Sequence, residues 1–167
     1  SFYHESPRRG ETFVTRKISR AVAEIASGQR SELFLGALDP KRDWGYAPEY
    51  VVAMWRILQL DEPTDLVIST GNSLSVGEFL DYCFDYVGLR AADFVRFDSR
   101  YLRPAEVDHL LGDSTKAQKV LELGELTSAK ELAKIMVDFD MSKLSNDKLI
   151  DSPMGDLWEA EINSRVS

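Results

Sequence analysis

Cysteine is almost absent from this sequence of 167 residues, because Cys83 is the only one. An internal disulfide is therefore impossible, and a cysteine-rich metal site is excluded. Apolar runs of the ~20 residues needed to cross a bilayer are also missing. The first residues have neither the basic start nor the apolar stretch of a signal peptide. These absences lead us to expect a reducing, cytoplasmic setting and no membrane partner.

Positive charge is scarce, with 20 Lys or Arg against 28 Asp or Glu and a net charge of −8. Nucleic acid is therefore not expected as a partner, since neutralising phosphates needs an excess of basic groups. Residues 1–45 nevertheless carry eight basic and six acidic side chains, and the remainder carries twelve and twenty-two. A small basic region suits a discrete anionic ligand, although random scatter gives the same distribution.

The common catalytic motifs are missing as well. The sequence has no glycine-rich dinucleotide loop, no nucleophile elbow and no phosphate-binding loop. His4 and His109 lie far apart and lack the spacing of metal ligands. No tyrosine is followed four residues later by a lysine. We therefore expect neither a catalytic residue nor a metal site in this chain.

What is present is an alternation of helices and short strands, which is typical of the α/β class. A helix is predicted over 13–27, ending at Gly28, because apolar residues recur on one face at helical spacing: Val14, Ile18, Val22 and Ile25. A second helix begins near Pro48 and is expected to bury Val51, Met54, Trp55 and Leu58. Two capping boxes open later helices, at Ser75–Glu78 and Ser128–Glu131, and the second of these helices is predicted to reach about Met141. Strands are predicted at 32–36, 65–69 and 94–97, a thin sheet that we expect to extend a larger one.

Arginines concentrate in three predicted loops, at Arg8-Arg9-Gly10, at 41–45 and at 103–106. The planar guanidinium binds phosphate oxygens through two parallel charged hydrogen bonds. Arg42 and Arg103, from separate loops, could therefore clamp a diphosphate, while Glu106 would accept from ribose hydroxyls. The alternative is that these arginines are solvated or paired with acids such as Asp43.

Three further stretches of the sequence belong together. The first runs from His4 to Ile18, and the second from Leu35 to Gly45 with Ala53-Met54-Trp55 and Leu58-Gln59 after it. The third is Arg100 to Val107, followed by Leu111-Gly112-Asp113 and Lys116-Ala117. In this order they resemble the GDP-mannose 4,6-dehydratase family. The first stretch is highly specific, and the other two occur more loosely in related short-chain dehydrogenases acting on sugar nucleotides.

The resemblance implies that the complete protein converts GDP-D-mannose to GDP-4-keto-6-deoxy-D-mannose, with NADP as a transient hydride carrier. It further implies that residues 1–141 are a small GDP-sugar-binding lobe that packs on a Rossmann-type NAD(P)-binding domain, N-terminal to this chain and carrying all catalytic residues. Residues 142–167 would be a polar tail, partly disordered. A homo-oligomer is also expected, and the isolated chain should be inactive and prone to associate.

Site residues carry over by position. The resemblance implies that His4 and Arg9 contact NADP, and that Val14 and Lys17 line the GDP-sugar site. Arg42 would bind the diphosphate. Arg103 would bind the nucleotide, and Glu106 its ribose.

The sequence departs from the family at Tyr3, where asparagine is usual, so the phenol could reshape the pocket. Two alternatives stay open. One is the corresponding half of a related sugar-nucleotide epimerase or reductase. The other is a non-catalytic module that binds a nucleotide sugar or a partner protein.

Overall fold

The computed structural model describes residues 2–102 and 107–145. Its strands are β1 (His4–Glu5), β2 (Leu33–Leu35), β3 (Lys41–Arg42), β4 (Gly45–Tyr46), β5 (Leu74–Ser75) and β6 (Val95–Phe97). Its α-helices are α1 (Val14–Ala26), α2 (Ala47–Leu58), α3 (Val76–Tyr86), α4 (Ala91–Phe94), α5 (Thr115–Leu121) and α6 (Ala129–Leu144), with a 3-10 turn at Ser99–Tyr101. The mixed helix and strand content confirms the predicted class.

Helices α1, α3 and α6 pack on one another and form the larger core. The predicted apolar face of α1 is largely buried, because Ile18, Val22 and Ile25 recur at helical spacing and are at most 6% exposed. Gly28 follows the helix with a φ of 73° and ends it, as predicted. Val14 and Lys17, two of the predicted site residues, lie in the first turn of this helix.

The first capping box forms as predicted at the start of α3. The Glu78 N–H donates to Ser75 Oγ at 3.0 Å, and the Ser75 N–H donates to Glu78 Oε2 at 2.7 Å. At α6 the Glu131 N–H donates to Ser128 Oγ at 3.2 Å, so one half of the second box is observed there. Helix α6 continues to Leu144, three residues beyond its predicted end and into the predicted tail over 142–167. The rest of that tail, residues 146–167, lies outside the described residues.

The strands form three separate two-stranded sheets among the described residues. β1 pairs with β4 and β2 with β6, both in parallel, whereas β3 and β5 are antiparallel. The predicted strand over 65–69 is reduced to a parallel bridge between Phe2 and Ile68. The reason is that, among the described residues, this segment has only the short stretch at Phe2 beside it to pair with. The ladder from β4 through β1 to Ile68 is therefore a narrow parallel strip.

The prediction for α2 is wrong about which face is buried. A smaller core takes up Tyr50 and Ala53 of this helix, whereas Val51, Met54 and Leu58 are 41%, 37% and 80% exposed. Helix α2 carries apolar side chains on more than one face, and the nearest partners in this chain, α5 and the segment at Ile68, lie against Tyr50 and Ala53.

None of the helices within 2–102 and 107–145 is long and apolar enough to span a bilayer. The same residues contain no group of three or more potential metal-ligating His, Cys, Asp or Glu side chains.

Candidate binding cavity

A cavity of about 320 Å³ opens between the first turn of α1, the end of β2 and the loop that connects β3 to β4. The start of α3 and the 3-10 turn close its other sides. Its described lining residues are Thr12, Val14, Lys17, Leu35, Gly36, Ala37, Pro40, Arg42, Trp44, Val76, Tyr101 and Leu102. The structure thus brings together three residues predicted to bind the substrate, Val14, Lys17 and Arg42, from two separate stretches of chain.

Lys17 reaches the cavity from the first turns of α1. Its Nζ lies 3.2 Å from the centroid of the Tyr101 ring, a cation–π contact that fixes the ammonium group. Burial, and then the positive charge of Arg30, lower the pKa of Lys17, whereas Asp98 acts in the opposite direction. The Lys17 Nζ therefore lies against the Tyr101 ring, which forms one wall of the cavity.

Arg42 enters the cavity from β3. One terminal nitrogen donates to the Val107 carbonyl at 2.6 Å and to the Lys41 carbonyl at 2.7 Å. Val107 directly follows residues 103–106, so this contact ties the arginine to the chain next to the third predicted arginine loop. These two hydrogen bonds set the direction of the Arg42 guanidinium.

Trp44 forms a wall of the cavity and is 7% exposed. Its ring meets Phe79 of α3 edge to face, with the centroids 5.3 Å apart. Phe79 is itself fully buried in the larger core, so this contact joins the wall of the cavity to that core.

His4 and Arg9, the predicted cofactor contacts, are not among the residues lining this cavity. His4 lies on β1 with its ring edge-on to Tyr50, 5.8 Å between centroids. Arg9 lies in the following turn, where its guanidinium stacks 3.7 Å above the Phe13 ring centroid and its Nε is 3.3 Å from Glu5 Oε2.

Glu5 anchors this turn to α1, since its Oε2 accepts from Thr15 Oγ1 at 2.7 Å. Burial raises the pKa of the Glu5 carboxyl, an effect that the Thr15 hydrogen bond and the Arg9 charge partly offset. The turn therefore holds a buried carboxylate that is paired with the predicted cofactor arginine.

Two predicted residues, Arg103 and Glu106, lie outside the described residues. Tyr3 is not a lining residue either, and its backbone takes part in the parallel strip through the bonds Tyr3 N to Ile68 O and Gly45 N to Tyr3 O. Sequence reasoning did not identify Thr12 or Tyr101. The position of Tyr101, two residues before Arg103 in a recognised stretch, was the available signal.

The chemistry of the cavity favours an anionic ligand with a flat, weakly polar part. Two of the described lining residues, Lys17 and Arg42, are cationic, and none is acidic. Tryptophan, tyrosine and aliphatic side chains provide the rest of the surface. Such a combination suits a phosphorylated ligand held by charge at one end and by packing at the other.

Comparison with known proteins points to one family. A family model described as GDP-mannose 4,6 dehydratase matches residues 1–136. GDP-mannose 4,6 dehydratase 2 of Arabidopsis thaliana is 50% identical over 149 residues, which cover 89% of this chain and 40% of the relative. The Homo sapiens GDP-mannose 4,6 dehydratase is 46% identical over 157 residues, covering 84% and 42%. The chain thus spans about two fifths of the length of these relatives.

Solved structures share the fold at low sequence identity. RMD from Pseudomonas aeruginosa, complexed with NADPH, superposes with a TM-score of 0.75 at 19% identity, covering 85% of this chain and 46% of that one. UDP-glucuronic acid 4-epimerase from Bacillus cereus, in complex with UDP-glucuronic acid and NAD, gives 0.68 at 16% identity, covering 86% and 44%.

Proposed function

The chain belongs to the GDP-mannose 4,6-dehydratase family, and on that premise we propose that it forms the substrate-binding lobe of such an enzyme. The complete protein would convert GDP-D-mannose to GDP-4-keto-6-deoxy-D-mannose and water. The observation that carries this proposal is the meeting of Val14, Lys17 and Arg42 around one cavity, in a chain half identical to a named dehydratase over most of its length.

The described residues would bind and orient the nucleotide sugar. Arg42 would donate to the diphosphate, since its direction is set by the Val107 carbonyl. Lys17 would donate to polar groups of the ligand, and Val14 and Trp44 would exclude water beside it. Arg103 and Glu106 are proposed to add a contact to the nucleotide and one to its ribose.

NADP is the proposed cofactor, and it would accept and return the hydride when bound. Arg9 suits one of its phosphates, because the cation lies in a turn fixed by Phe13 and Glu5. His4 is close to that turn on β1 and would contact the same cofactor. Neither residue is assigned a chemical step, and the catalytic groups are proposed to come from the nucleotide-binding domain.

That domain is also the proposed partner of two unusual surfaces. The parallel strip of β4, β1 and Ile68 has few paired residues among those described. Parallel strands normally belong to larger sheets that are covered on both faces. The outer face of α2, formed by Val51, Met54 and Leu58, is apolar and exposed. An N-terminal nucleotide-binding domain that extends the strip and covers this face would explain both. We further propose that the complete protein is a cytoplasmic homo-oligomer and that this chain alone is inactive.

The reaction is tested with the complete protein encoded by the source gene. Incubation with GDP-mannose and NADP should give the 4-keto-6-deoxy sugar nucleotide, identified by mass spectrometry as loss of one water. An epimerised or reduced product would favour the related sugar-nucleotide enzymes. Binding of GDP-mannose without any turnover would favour a non-catalytic module.

The site is tested by Arg42→Ala in the same protein. Loss of a charged hydrogen bond should weaken GDP-mannose binding by about 1.5–3 kcal/mol, roughly 10- to 150-fold. Arg100→Ala is the matched control, because Arg100 is paired with Asp98 and its side chain is 82% exposed. Unchanged affinity in calorimetry for Arg42→Ala would remove this residue from the site.

The docking face is tested on the isolated chain by light scattering. We expect self-association, which Met54→Glu should reduce because it places a charge on the outer face of α2. Phe97→Glu is the control, since Phe97 is 68% exposed on β6, outside that face. A strictly monomeric wild-type chain would argue against the proposed surface.

A further inference from the structure

Asp43 lies between two residues that line the cavity, Arg42 and Trp44, but its own side chain is not part of the lining. It is 1% exposed, an uncommon position for a carboxylate, because burial of a charge is costly unless it is compensated. The groups that donate hydrogen bonds to this carboxylate show which parts of the chain Asp43 holds in place.

Four neutral donors reach the Asp43 carboxylate. Oδ1 accepts from the Thr70 backbone N–H at 3.0 Å and from Thr70 Oγ1 at 2.7 Å. Oδ2 accepts from the Gly71 N–H at 3.0 Å and, at a longer 3.4 Å, from the Gly112 N–H. The carboxylate thus links the loop between β3 and β4 to the turn at residues 70–71 and to the segment at residues 107–112.

Two glycines make this arrangement possible. Gly71 has a φ of 74°, which a residue with a side chain rarely adopts. At Gly112 a Cβ would overlap the side chain of Ser69, so only glycine lets the chain approach closely enough to donate to Asp43.

The segment at 107–112 also determines the direction of Arg42. The Lys41 N–H donates to the Asp108 carbonyl at 2.7 Å, and the Leu110 N–H donates to the Lys41 carbonyl at 3.0 Å. Arg42 itself donates to the Val107 carbonyl. Asp43 therefore anchors both the loop that carries Arg42 and the segment against which its guanidinium is oriented.

We infer that Asp43 is a positioning residue for the diphosphate end of the cavity, acting through Arg42. The inference rests on the proposed function, since it assigns Arg42 to a nucleoside diphosphate. The rival explanation is that Asp43 only stabilises the fold.

Glu49 provides a control for the explanation that Asp43 only stabilises the fold. Its carboxylate accepts from the Thr127 N–H at 2.9 and 3.2 Å and from Thr127 Oγ1 at 2.6 Å, the same pair of donors that Thr70 offers Asp43. Glu49 is on α2 and is not a lining residue. Asp43→Asn and Glu49→Gln therefore disturb similar hydrogen bonds, and only the first is next to the cavity.

The experiment compares GDP binding by calorimetry, thermal stability and steady-state kinetics in the complete protein. Both variants should lower the melting temperature, since an amide NH₂ then faces backbone N–H groups. Asp43→Asn should weaken GDP binding about tenfold and raise KM for GDP-mannose, with kcat within about threefold, whereas Glu49→Gln should leave Kd and KM unchanged. In an Arg42→Ala background, Asp43→Asn should have little further effect on GDP binding.

Equal affinity in Asp43→Asn and Glu49→Gln overturns the inference, and so does an Asp43→Asn effect of full size in the Arg42→Ala background. If Asp43→Asn does not fold, Thr70→Val removes one donor to the carboxylate and should weaken GDP binding in the same direction; unchanged affinity there would count against the inference. A wild-type protein that neither binds GDP nor turns over GDP-mannose instead refutes the proposed function.

Discussion

The substitution Asp140→Ala tests how the larger core holds α1 beside the cavity. Asp140 of α6 forms a buried ion pair with Arg16 of α1, and the two side chains are 5% and 3% exposed. Ser19 Oγ donates to Asp140 Oδ2 at 2.8 Å, and the Arg16 guanidinium lies 5.6 Å from the centroid of the Phe139 ring. Removing Asp140 leaves the arginine charge buried without its partner.

The expected loss follows from that isolated charge. Removing one partner of a buried ion pair costs about 3–5 kcal/mol. For a chain of this length each kcal/mol lowers the melting temperature by roughly 2–4 °C, so a decrease of about 6–20 °C is expected. Replacing both partners by apolar residues, Arg16→Met with Asp140→Leu, removes the desolvation cost as well, so the double variant should match the stability of the wild type or exceed it by ~1–4 kcal/mol.

The assay is urea denaturation followed by tryptophan fluorescence, in which Trp44 reports on the larger core through its contact with Phe79. The midpoint should fall strongly for Asp140→Ala and recover in the double variant, with the slope unchanged. A loss below about 1 kcal/mol for Asp140→Ala would show that the pair is solvated. A double variant no more stable than either single variant would refute the argument from desolvation.

Two further predictions concern the turn and strip around β1. Gly45→Ala should destabilise the protein by about 1–3 kcal/mol in urea denaturation, because a Cβ there would overlap the Tyr50 phenol; Gly124→Ala, with open space around it, should have little effect. Burial raises the pKa of Glu5 above its ordinary 4.5, so the stability that this group contributes is present at low pH and is lost as pH rises through the raised pKa. Wild type should therefore lose stability relative to Glu5→Gln as pH rises above 4.5, and a pH-independent difference would contradict this.

Local signals were sufficient where a single stretch of chain determines the structure. The spacing of Ile18, Val22 and Ile25 predicts α1, and Gly28 predicts its end, because both depend only on the helix itself. The Ser75–Glu78 capping box is equally local. Strand 65–69 was different, since a strand needs a neighbour to pair with, and the described chain offers Ile68 only the short edge at Phe2.

The sequence predicted only part of the site. Val14, Lys17 and Arg42 were identified from the family resemblance, and the structure brings them to one cavity. Tyr101 was missed because its contact with Lys17 joins residues far apart in sequence, and no local pattern encodes a ring placed beneath an ammonium group. The sequence predicts Asp43 as a possible partner of Arg42, whereas the structure shows its carboxylate accepting from backbone and hydroxyl donors.

The wrong prediction for α2 bears on the proposal for the complete protein. A helix that is apolar on more than one face is normally buried on more than one face, and α2 buries only the side that carries Tyr50 and Ala53. Its outer side, with Leu58 80% exposed, has the composition of a core and the exposure of a surface. If a nucleotide-binding domain covers that side, the apolar pattern of α2 reflects the complete protein, and the exposure of Leu58 reflects this portion alone. Hydroxyl-radical footprinting of the complete protein measures this directly. Protection of Met54 and Leu58 there would show that the outer side of α2 is buried by the rest of the protein, whereas their oxidation would contradict that explanation.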